Sequence, residues 1–164
     1  MFSALDIFSN LSFPFRLIEI NTGNAYFALE SKELKSFGKE ENLSGTFEII
    51  YKCSGMECHF ECDITIGNVY YFYLELDTAY DIMFSKNSKA VLIDYNNDRT
   101  SIIIQFDDKC RCTAVGKIKN KLDQYRSGIE FTMNVEQSEV CDMLVSLDKF
   151  FSELKRIKGN SDFF

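Results

Sequence analysis

The stretch Ser127–Leu154, SGIEFTMNVEQSEVCDMLVSLDKFFSEL, decides the fold class of this chain, because the spacing of its apolar residues changes part-way through. Ile129, Phe131, Met133 and Val135 alternate with polar residues, the period of two of a half-buried strand. Val140, Leu144, Leu147, Phe151 and Leu154 then recur at helical spacing and form one stripe. Between them stand Glu136, Gln137, Ser138 and Glu139, whose side chains can satisfy free amides at a helix start and complement the positive end of its dipole. Lys155, Arg156 and Lys158 suit the other end, and Gly159 is a stop. A strand passing directly into a long closing helix predicts an α+β domain.

Working back towards the N-terminus, the strands come in pairs. Phe15 to Ile20 and Ala25 to Leu29 flank Asn21-Thr-Gly-Asn24 and read as a first hairpin. Ser31 to Asn42 is charged, with only Leu34 and Phe37 as sizeable apolar residues, and reads as a loop or a short surface helix. Thr46 to Cys53 and Met56 to Ile66 flank Ser54-Gly55, and a two-residue turn there sets a register. Phe47 then faces Cys62, Ile49 faces Phe60 and Tyr51 faces Cys58 on one side of the hairpin. Lys52 meets Glu57 on the other, where Glu48 also falls opposite Glu61.

Asn68 to Phe84 contains Tyr70, Tyr71, Phe72 and Tyr73, residues of high strand propensity, but its spacing favours a helix. Phe72, Leu76 and Tyr80 are four apart, while Glu75, Asp77 and Asp81 can face water. Strands resume at Ala90 to Tyr95, Ser101 to Phe106 and Cys110 to Lys119. Short connections favour antiparallel neighbours, so the expectation is a twisted antiparallel sheet packed by the long C-terminal helix and a second, central helix. No internal repeat or linker divides the sequence, which reads as a single globular domain over residues 1–164.

The chain has 164 residues, 46% of them apolar and 15% aromatic, ample for a core. Its 25 acidic and 18 basic residues give a net charge of -7, which argues against nucleic-acid and anionic-membrane partners and suits a basic protein partner. Met1 to Asn10 lacks a basic n-region and carries Asp6 within its apolar part, so it does not read as a secretory signal. A cytoplasmic protein with reduced thiols is expected.

Cys53, Cys58, His59, Cys62, Cys110 and Cys112 are the one group of residue types suited to zinc, but they lack paired C-x-x-C knuckles. The hairpin register also sends His59 to the opposite face from Cys58 and Cys62, and that histidine is the only one available to activate a cysteine. Cys110 and Cys112 read as alternating residues on one face of a strand. No glycine pattern makes a phosphate loop, and the Tyr70–Tyr73 run lacks interleaved basic residues. The expectation is therefore a protein without catalytic residues, cofactor or metal. Glu40, Glu41, Asp107 and Asp108 are candidate protein contacts on charge alone.

Val115-Gly-Lys-Ile118, Gly128-Ile-Glu-Phe131 and Val135-Glu-Gln-Ser138, followed by a helix with Leu144, Leu147 and Leu154, resemble the C-terminal half of WapI-type immunity proteins of bacterial polymorphic toxin systems. Leu43-Ser-Gly-Thr-Phe47 and Tyr73-Leu-Glu-Leu76 are similar to that family's middle section, so the likeness spans about Leu43 to Leu154. Two departures stand out. Glu136 occupies the place more usually held by Asp, and the chain has none of the tryptophan that some relatives carry. The resemblance implies a non-enzymatic protein that binds and neutralises a cognate toxin domain, a basic one given the charge. The alternative is a general α+β interaction or regulatory module.

Overall fold

The computed structural model describes residues 10–37, 42–94, 100–119 and 127–158, so Glu40 and Glu41 lie outside the described residues. Four antiparallel strands come first: β1 (Phe15–Asn21), β2 (Ala25–Phe37), β3 (Asn42–Cys53) and β4 (Met56–Cys62), which lie side by side in that order. Helix α1 (Ile66–Ile82) follows. A second sheet, β5 (Ser88–Ile93), β6 (Thr100–Phe106), β7 (Cys112–Lys119) and β8 (Gly128–Val135), is again ordered as in the chain, and α2 (Gln137–Lys158) closes the fold. The α+β class follows from these elements, with the strands divided between two sheets instead of sharing one. Four strands and a helix thus occur twice, a repeat of architecture that the residues do not display.

The β3–β4 register is the expected one, pairing Phe47 with Cys62, Ile49 with Phe60, Tyr51 with Cys58 and Lys52 with Glu57. The turn that sets it has φ of 49° at Ser54 and 80° at Gly55, the left-handed pair that suits the twist of a two-residue hairpin. The expected loop or helix over Ser31–Asn42 is corrected: β2 runs on to Phe37 and β3 starts at Asn42. A bulge between Ser31 and Glu33 shifts the register and leaves Leu34 buried between the exposed Glu33 and Lys35. Lys32 reaches across the strands to Glu48 at 3.1 Å, so charged residues populate the strand's outer side instead of marking a loop.

The tyrosine-rich run is helical because its start is capped and its apolar residues form a stripe. Thr65 accepts the Asn68 N–H, Asn68 Oδ1 accepts the Thr65 N–H, and Ile66, Val69, Phe72, Leu76 and Ala79 are buried. Helix α2 has an analogous start, where Glu139 accepts the backbone N–H of Glu136 at 2.8 Å. Cys110 is a second correction. It precedes β7 with φ of 57°, in a turn where its thiol faces the Met83 carbonyl, so it does not alternate with Cys112 on a strand.

Each helix packs on the first strand of the other half, α1 against β5 and α2 against β1. Both use a carboxylate to satisfy an edge amide: Glu75 accepts from Val91 N–H and Glu139 from Asn21 N–H, each at 2.8 Å. The sheets meet through Phe131 of β8, whose ring lies 5.2 Å from Phe27 and 4.9 Å from Tyr51. Gly116, opposite Phe131 on β7, makes room for that ring: a Cβ there would stand 2.2 Å from it. On the other side Phe151 of α2 packs against Tyr70 and Tyr73 of α1, and Phe150 stacks on Phe15 of β1.

Candidate functional site

Among the described residues, no three His, Cys, Asp or Glu side chains converge as metal ligands would. Cys62 and Cys112 are buried in the core, and burial pushes each thiol up to about 12, far from the thiolate a nucleophile needs. His59 stands on the outer face of the first sheet, away from Cys58 and Cys62, as its register dictates. Its ring nitrogens meet Glu48 and, at 2.8 Å, Glu57, and these hydrogen bonds raise its pKa above the usual 6.5. Lys32 pairs with Glu48 and Lys52 with Glu57, so this face is a chain of compensated charge. Arg16 continues it across β1 and β2 through Glu19 and the buried Glu30, both at 2.8 Å.

Asp107 and Asp108 lie in the β6–β7 turn. Asp107 accepts the backbone N–H groups of Lys109 and Arg111 at 2.8 and 2.9 Å and the Arg111 guanidinium at 2.7 Å. These bonds from Arg111 hold its carboxyl below the ordinary aspartate range. The charge of Asp107 is therefore neutralised within its own turn, and Asp108 remains exposed beside it.

A different acidic surface is assembled where the helices lie antiparallel. Tyr73 donates to Asp148 at 3.1 Å, and the Tyr80 hydroxyl meets the Cys141 thiol at 2.9 Å, so the two ends of the seam are fixed by side chains. Burial, the bond to Asp148 and the nearby charges of Asp148 and Asp77 push Tyr73 up to about 12, keeping it a donor. Asp77 and Asp81 follow Tyr73 at helical spacing on α1, and Asp142 and Asp148 bracket Val145 on α2. All four carboxylates are exposed and none forms an ion pair among the described residues, while Val145 is 68% exposed. The result is an exposed apolar side chain flanked along α2 by Asp142 and Asp148, one turn from Lys149, with Asp77 and Asp81 on the neighbouring α1.

That Val145 is apolar was legible, but Met143 and Phe150 are likewise apolar and off the stripe Val140–Leu144–Leu147 and both are buried, so the exposure of Val145 was not. Nor was the neighbouring α1, because antiparallel docking of the helices is a tertiary fact. No helix among the described residues is long and apolar enough to cross a membrane.

No family model matches the chain, and no curated protein does. Among solved structures it is similar to the one described as the structure of the plant transcriptional regulator PBF-2, with 10% identity over 88% of each chain and a TM-score of 0.42. A likeness that loose carries no argument about this chain.

Proposed function

We propose that this chain is a non-enzymatic inhibitory binding protein of the WapI-type immunity kind, acting in the cytoplasm, whose partner is a basic toxin domain. The observation that supports the reading most is the helix seam, where Asp142 and Asp148 flank the exposed Val145 and the neighbouring α1 carries Asp77 and Asp81, none of the four in an ion pair among the described residues. Uncompensated carboxylates steer a cationic partner and speed its association, while a central apolar side chain supplies the desolvated anchor of the contact. The outer face of the first sheet, although rich in charge, is already paired with itself and offers a basic partner less.

Tagged protein used as bait in its native host should recover a basic toxin domain at near-equal stoichiometry. Asp77→Asn, Asp81→Asn and Asp142→Asn together should leave folding intact and slow association at low salt by roughly tenfold or more, with little difference at high salt. Unchanged association at low salt would remove the seam from the interface. Capture of a cellular regulator instead of a toxin domain would favour the general interaction module.

A further inference from the structure

The outer face of the second sheet has the opposite character to the seam. Register places Val91, Ile103 and Val115 in one cross-strand row, each half-buried with part of its surface open to solvent. The next row is polar and carries Lys89 and Gln105, beside a groove of about 650 Å³. On the other side Lys117 pairs with Glu130 at 3.1 Å, and Lys119 follows two residues on. Lys117 is thus compensated by Glu130, and the lysines left without an ion pair among the described residues, Lys89 and Lys119, stand on opposite sides of the apolar row.

The chemistry that would cover this face is present on the same molecule. An exposed valine flanked by Asp142 and Asp148 complements an apolar row that has Lys89 on one side and Lys119 on the other, and a second copy supplies it. We propose that the helix seam of one copy docks on the outer face of the second sheet of another, Val145 against the Val91–Ile103–Val115 row, with the carboxylates of the seam facing Lys89 and Lys119. The two patches are different, so the contact is head-to-tail and propagates to a ring or a short chain. The proposal stands without the toxin reading. If both hold, self-assembly and capture of a basic partner compete for the seam.

Sedimentation of the full chain over a concentration series tests it. At low salt the average mass should rise from 19.0 kDa to roughly twice that or more, and salt should reverse the rise. A seam variant, Asp142→Lys with Val145→Lys, and a face variant, Lys89→Glu with Lys119→Glu, should each stay monomeric alone. Mixed in equal amounts they should form dimers and nothing larger, since one keeps an intact face and the other an intact seam. Monomeric wild type at every concentration would overturn the proposal, as would a mixture that fails to dimerise or variants that associate like the wild type. The face variant should still bind a basic partner through its seam, so loss of self-association and loss of partner binding are read separately.

Discussion

A side chain added at Gly116 would occupy space that the Phe131 ring fills between the two sheets. Gly116→Val should cost about 1–3 kcal/mol, the usual penalty for overpacking, and Phe131→Leu in the same chain should recover part of it. Urea unfolding measures both, and an unshifted midpoint for Gly116→Val would show that the ring lies elsewhere. His59 sets a different expectation. Its folded pKa is raised, so the stability it contributes is complete below about pH 6.5, the unfolded value, and is lost as pH rises through the folded value. Glu57 is held low by the same histidine and by Lys52; Glu48, despite partial burial, is held low by His59 and Lys32. Their contribution is present above the ordinary carboxylate range and fades as pH falls through it. The cluster should therefore stabilise most between about pH 4.5 and 6.5, and the melting-temperature advantage of wild type over His59→Gln should shrink from pH 6 to pH 8. A difference independent of pH would remove the histidine charge from the explanation.

At the scale of elements, each helix depends on its first turn and its buried stripe. Thr65→Ala removes the acceptor for the Asn68 N–H and should cost about 1 kcal/mol, seen as a lower denaturation midpoint with an unchanged slope. Leu147→Asp places a carboxylate at a fully buried position of α2 and should unfold or aggregate the protein, at a cost of several kcal/mol. A soluble, folded Leu147→Asp would mean that the helix faces the other way. These elements were readable because their signals are local: a capping pair three residues apart, a stripe at helical spacing, and a Ser-Gly turn that commits a register. The strand over Ser31–Phe37 was hidden because Lys32 finds its partner, Glu48, on β3, and proximity to β3 is not written in the neighbouring residues. Division of the strands into two sheets was hidden for the same reason. Asp107 also looked like a free carboxylate until Arg111, four residues on, was seen to close the turn on it.

Across the whole molecule, carboxylates without ion pairs gather on the two helices while Lys89 and Lys119 stand on the outer face of the second sheet, so the net charge of -7 does not describe every surface alike. The exchanged helices have a further consequence. Because α1 covers β5 and α2 covers β1, severing the short connection after Phe84 would leave a piece that holds one sheet and the other sheet's missing cover, and a second piece in the reverse position. Residues 1–84 and 85–164 made as separate polypeptides should each be poorly folded alone and should reconstitute a native-like spectrum when mixed. The molecule would then serve as a split scaffold, in which two unrelated proteins fused to the halves report their own encounter by restoring it.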